Sequence, residues 1–266
     1  MSKSLALGLT IATIAAPAMA ADLGMPPLNA PPVPVAFPIA FTWTGCYIGV
    51  EGGGAWGHTD ATSAGTVNGV PDGTAGAVKI NSHDTSGGLV GGTLGCNYQF
   101  PITNIVVGIE GDGSWAQIQG SSVLAAPSFD TRFSENETQQ SFYTARGRVG
   151  YAWDKVLIYA TGGAAFSYAE VREFNTVAGT FTTCGGVPQP AGACSAAESL
   201  FLSGWTAGAG IEYAIFQRWF IKAEYLHADL GRETYFNTTA TACCTAENRR
   251  FTDEIFRAGL NWRFSD

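Results

Sequence analysis

Two short motifs carry the charges that could do chemistry. Glu110-Gly111-Asp112 sets two carboxylates two residues apart, and Arg146-Gly147-Arg148 sets two guanidiniums at the same spacing. In an extended strand, residues i and i+2 share a face. Paired carboxylates can act as general acid and base, and paired arginines can clamp an anionic group. Oppositely charged pairs on neighbouring strands can equally neutralise each other, and that structural reading is preferred. No Ser-His-Asp or Cys-His constellation stands at the strand ends, so no residue is assigned a catalytic role.

Other motifs are weaker. Gly52-Gly53-Gly54-Ala55-Trp56-Gly57 matches G-x-G-x-x-G, but a dinucleotide site needs a helix to follow, and a polar segment follows here. The histidines are His58, His83 and His227. His58 and His83 share one long polar segment; imidazole is a common metal ligand, but no H-x-x-x-H or acid-histidine spacing supports a site. They read as solvated loop histidines, and no metal or cofactor is assigned.

The elements that must position the charges are strands. From Thr44 onward the hydropathy period is two, and eight segments follow: 45–57, 87–99, 105–119, 141–153, 156–168, 202–216, 219–230 and 250–264. Cys46, Ile48, Val50 and Trp56 alternate with Glu51; Val107, Ile109 and Trp115 with Glu110 and Asp112; Tyr143, Val149 and Tyr151 with Arg146 and Arg148. Tight turns at Pro101–Asn104, Asp154-Lys155 and Gln217-Arg218 alternate with long polar segments at 58–86, 120–140, 169–201 and 231–249. Short turns at one end and long loops at the other characterise outer-membrane barrels. The predicted fold is therefore all-β, an eight-stranded antiparallel up-and-down transmembrane β-barrel over 42–266, with both chain ends on the periplasmic side.

A soluble up-and-down barrel would bury its apolar face and expose its charges. Composition and aromatic placement favour the membrane form. The chain is 46% hydrophobic and only 14% charged, where soluble domains carry about 25% charged residues. Tyr98, Tyr151, Trp153, Tyr213, Trp219, Trp262 and Phe264 lie near the short turns, while Trp56, Trp115, Tyr143, Phe166, Trp205 and Tyr225 lie near the long segments. Two aromatic belts mark the two interfaces with outer-membrane lipid.

Targeting agrees. Lys3, the apolar run Leu5–Ala16 and Ala18-Met19-Ala20 form a secretory signal over 1–20. The apolar run is too short for a transmembrane helix. Residues 21–41, with Pro26, Pro27, Pro31, Pro32, Pro34 and Pro38, read as an extended periplasmic linker. The net charge is −8, and −9 once Lys3 leaves with the signal; this speaks against a nucleic-acid partner.

Inside the barrel the charges match. Glu110 and Asp112, counted from the short turn, reach the height of Arg148 and Arg146. Glu212 lies opposite Lys222 across a tight turn, and Glu51 meets Arg257 if the barrel closes. With Glu224 and Arg263 these form a lumen network of five acids and five bases. Eight strands leave room only for side chains, and buried charges must pair, so the lumen is predicted to be plugged.

Trp43-Thr44-Gly45-Cys46-Tyr47-Ile48-Gly49 resembles the W-T-G-F-Y-V-G opening of the small alphaproteobacterial outer-membrane barrels, the haemin-binding and major surface-antigen type. Further matches include Arg146-Gly147-Arg148-Val149-Gly150-Tyr151-Ala152, Gly204-Trp205-Thr206-Ala207-Gly208-Ala209-Gly210-Ile211-Glu212-Tyr213 and Gly259-Leu260-Asn261-Trp262-Arg263-Phe264. The resemblance spans Trp43 to Phe264. It implies an envelope or surface role in the cell outer membrane and no enzyme. It also implies that Trp262 and Phe264 form the terminal signal read by the barrel-insertion machinery. Some members of that family bind haemin. The alternatives to a structural barrel are a small porin-like transporter, or a ligand-binding or adhesive protein acting through the long loops toward an extracellular ligand.

Export permits disulfides. Cys184 and Cys194 share the third long segment, and Cys243 and Cys244 lie in the fourth. A disulfide is expected between Cys184 and Cys194, or from one of them to Cys243 or Cys244. Cys46 and Cys96 lie on the lipid face of neighbouring strands, either as apolar fillers, the preferred reading, or as a cross-strand bridge.

Overall fold

The computed structural model describes residues 41–67, 70–71, 79–123, 133–175, 195–236 and 245–265. The expected signal segment and nearly all of the proline-rich segment lie outside the described residues, as do Cys184, Cys194, Cys243 and Cys244. Phe41, taken as the end of the linker, already packs edge-on against Trp43 at 5.2 Å.

Eight long strands form one antiparallel sheet: β1 Gly45–Val67, β2 Lys79–Gln99, β3 Ile105–Val123, β4 Phe133–Trp153, β5 Val156–Asn175, β6 Ser195–Ala214, β7 Trp219–Tyr235 and β8 Thr245–Arg263. Val70–Pro71 folds back on the tip of β1. Each strand bonds to the next, and β8 bonds back to β1 from Tyr47↔Arg263 upward. That last pairing closes the barrel and removes the free edges. Among the described residues no helix is long and apolar enough to cross a membrane; strands do the crossing.

The short-turn ends fall where the turn residues require. Asn104 and Asp154 adopt positive φ of 56° and 51°, a conformation these two residue types tolerate better than other non-glycine residues. The other ends differ from expectation. Both ends of each of the segments 58–86, 120–140, 169–201 and 231–249 turn out to be strand, leaving 68–78, 124–132, 176–194 and 237–244 between the long strands, with Val70–Pro71 paired within the first. Above the upper belt both faces are polar, so hydropathy stops alternating while burial does not. On β1, Thr59, Ala61 and Ser63 are buried, and His58 is exposed.

The outer face carries Ile48, Val50, Val90, Leu94, Ile109, Val149, Ile158 and Ile211, all exposed. Tyr98, Tyr151, Trp153, Trp219, Trp262 and Phe264 flank this band below, and Trp56, Trp115, Tyr143, Trp205 and Tyr225 flank it above. Tyr168 and Phe201 also join the upper belt. Trp115 leaves 82% of its surface uncovered. Such a face suits hydrocarbon, and the buried charges exclude the soluble alternative. Because a closed sheet satisfies its backbone hydrogen bonds from strand to strand, refolded protein should migrate differently before and after boiling in detergent gels. Identical mobility of verified refolded protein would contradict a closed barrel.

Candidate functional site: the charged lumen

Along β8 the buried inward positions read, from the short-turn end, Arg263, Asn261, Arg257, Ile255, Asp253, Phe251, Arg249 and Glu247. Layers of charge and of hydrocarbon therefore stack through the interior. The lowest layer is apolar, with Trp43, Tyr47, Val106, Leu157, Tyr159 and Phe220. Trp43 Nε1 donates to the Asp154 carbonyl at 3.1 Å and pins this floor to the β4–β5 turn.

The charged layer follows. Arg146 bonds Glu110 at 2.5 Å, Asp112 at 2.9 Å and Glu224 at 2.9 Å. Arg148 bonds Glu212 at 2.7 Å and Glu110 at 3.1 Å, and lies 4.1 Å over the Tyr159 ring. Arg257 reaches Glu51 at 2.5 Å, Asp112 at 2.9 Å and Glu224 at 2.7 Å. Lys222 bonds Glu51 at 2.9 Å and Glu110 at 3.2 Å. No side chain in these pairs is more than 1% exposed.

Tyrosine hydroxyls, which charge counting overlooked, complete the layer. Tyr47 donates to Glu110 at 2.5 Å and accepts from Arg148 at 2.7 Å; Tyr159 donates to Glu224 at 3.0 Å. Both rings lie over inward glycines. A Cβ at Gly210 would sit 2.5 Å from the Tyr159 ring, and one at Gly95 equally close to the Tyr47 ring, so these two positions must be glycine for the tyrosines to reach the carboxylates.

A second apolar layer covers the charges. Phe142, Leu226, Ile118, Ile255 and Leu202 are all fully buried. Above it stands a further polar group, on strand residues within the segments expected to be loops. Arg249 bonds Glu135 and Glu247 and lies 3.6 Å from Glu173. Asn81 donates to Glu135 at 3.1 Å, and Thr59 to Glu137 at 3.1 Å. Burial opposes ionisation of Glu135, but the Arg249 guanidinium outweighs it and holds the carboxyl below its usual range. Burial pushes Glu247 well above that range, and nearby Glu173 and Glu135 add to the shift. The overlooked signal was Glu135-Asn136-Glu137 and Glu247-Asn248-Arg249, period-two charges like those lower down.

Four sequence expectations change. Arg263 sits at the short-turn end and donates to the carbonyls of Thr42, Thr44 and Gln217; as the last strand residue, it ties the floor together below the carboxylate layer. In register Glu110 faces Arg146 and Asp112 faces Thr144, two residues from the expected match, although the expected pairs Glu110–Arg148 and Asp112–Arg146 both form. His83 is buried on β2 and is not a solvated loop histidine, although His58 is exposed. Cys46 and Cys96 are not apolar fillers: they face each other with Cα atoms 4.0 Å apart and form a disulfide.

With this geometry in hand, comparison with known proteins decides the family. The model of the outer membrane protein beta-barrel domain matches residues 8–264. The chain belongs to this outer-membrane β-barrel family. A 31 kDa outer-membrane immunogenic protein of Brucella melitensis is 32% identical over 269 residues, covering 98% of this chain and all of the relative. A 25 kDa outer-membrane immunogenic protein of the same species is 27% identical, covering 88% and 86%. The crystal structure of the outer membrane protein OprG from Pseudomonas aeruginosa aligns with 83% of this chain and 97% of its own, at 11% identity and a TM-score of 0.43. This barrel is thus an outer-membrane protein, and lipid surrounds its exposed apolar band.

Proposed function

We propose that this outer-membrane barrel serves as a structural and surface protein whose lumen is sealed. The observation that carries the reading is the layered interior: a fully buried ion-pair network between two hydrocarbon layers. An open channel needs a continuous polar path, and stacked apolar layers interrupt one. The lumen acids and bases bond one another, which suits a structural interior and not catalysis. The outer surface would be supplied by the segments beyond the upper strand ends, in keeping with relatives named as immunogenic. Trp262 and Phe264, exposed at the end of the last strand, are proposed as the signal for the insertion machinery.

Liposome swelling tests the reading. Vesicles carrying the refolded barrel should swell in small sugars no faster than empty vesicles. Swelling that rises with protein content and falls with sugar size would instead establish the transporter alternative.

A further inference from the structure

We infer that His83, Glu137 and Glu135 form a binding site for a transition-type divalent cation, with Zn²⁺ the best match, in the part of the barrel above the membrane. Each residue offers a ligand atom, and the three atoms lie within 4.8 Å of one another. His83 comes from β2, while Glu135 and Glu137 share the inner face of β4. The side chain of His83 is only 6% exposed, yet neither ring nitrogen has a hydrogen-bond partner. Its Nε2 points at Glu137 Oε2 from 3.5 Å, and that oxygen is also buried without a hydrogen bond.

Geometry fits a bridging ion better than a direct bond. Nitrogen and oxygen ligands lie about 2.0–2.2 Å from Zn²⁺, so two ligands at a tetrahedral angle stand about 3.4 Å apart. The observed separation meets this span, and it is long for a charged hydrogen bond. The charge balance favours the same occupant. The lower layer sets Glu51, Glu110, Asp112, Glu212 and Glu224 against four bases. In the upper group Arg249, the one buried guanidinium among the described residues there, is engaged by Glu135 and Glu247, while Glu137 Oε2 and both His83 ring nitrogens are buried without a hydrogen bond. A buried carboxylate oxygen without a hydrogen bond is costly, and a divalent ion would pair with Glu137 there. Imidazole together with carboxylates selects zinc-like ions over Mg²⁺ or Ca²⁺, which prefer oxygen alone. Bound there, the ion would tie β2 to β4 across β3.

The test uses the full chain refolded in detergent and stripped with a chelator. Substituting His58→Ala and His227→Ala together removes the two other histidines of the chain and leaves the lumen untouched. In that background one Zn²⁺ should bind per chain, and zinc X-ray absorption should report one imidazole among oxygen ligands. Adding His83→Ala or Glu137→Gln should weaken binding by at least about tenfold, since even outer-shell losses cost that much. Failure of either addition to fold would leave the spectrum of the two-histidine variant to decide. Absence of zinc uptake by that variant, or bound zinc without an imidazole ligand, overturns the site. So does undiminished binding after His83→Ala.

Discussion

Arg146→Ala should cost the barrel about 3–5 kcal/mol, because removing one partner of a buried ion pair leaves charge uncompensated in a low-dielectric interior. Arg146 bonds Glu110, Asp112 and Glu224, and its Nε donates to Thr144 at 2.8 Å. Three carboxylates would therefore lose a cation together. Arg148→Ala should act similarly through Glu212 and Glu110. Glu212→Gln should be milder, since it leaves four acids with the four bases of this layer and keeps an acceptor for Arg148. Lys79→Ala, which removes an exposed pair with Asp60, should cost no more than about 1 kcal/mol. Urea unfolding in micelles, followed by tryptophan fluorescence, measures all four. An unchanged midpoint for Arg146→Ala would mean that water screens the lumen.

Breaking the Cys46–Cys96 bridge should produce the second large loss, about 2–4 kcal/mol by the usual range for disulfides that close loops of this length. The two cysteines are 50 residues apart in the chain, so the link constrains a long loop of the unfolded state. Cys46→Ala with Cys96→Ala should lower the urea midpoint, and a reductant should lower that of the wild type by a similar amount while leaving the variant unaffected. Equal midpoints for variant and wild type would show that the bridge contributes nothing. Non-reducing peptide mapping of protein from intact membranes should recover the Cys46–Cys96 peptide. It should also show whether Cys184, Cys194, Cys243 and Cys244 are joined; four free thiols there would refute a loop disulfide.

How much of this was legible depends on where the chain can be counted. The tight turn at Asp154-Lys155 fixes the β4–β5 register from sequence, and the turn at Gln217-Arg218 brings Glu212 within one residue of Lys222, which it faces. β1 and β2, like β3 and β4, join through long segments whose length sets no register. Hence the sequence does not decide whether Cys46 faces Cys96, and it sets Glu110 opposite Arg148, two residues from its partner Arg146. Within the lipid band, hydropathy reports which way a residue faces, because lipid and lumen differ in polarity. Above Trp56 and Trp115 that contrast vanishes, so strand residues such as His83, Glu135 and Arg249 read as loop. Tyr47 and Tyr159 escaped notice for a different reason: aromatic residues elsewhere in the strands mark the lipid interface, and only the facing Gly95 and Gly210 show that these two turn inward.

Planar-bilayer recording on the refolded barrel tests the sealed lumen most directly. With two hydrocarbon layers enclosing a paired charge network, insertion should leave the membrane current at baseline under applied voltage, while gel mobility verifies the folded state. Discrete, reproducible conductance steps from folded wild-type protein would contradict the account.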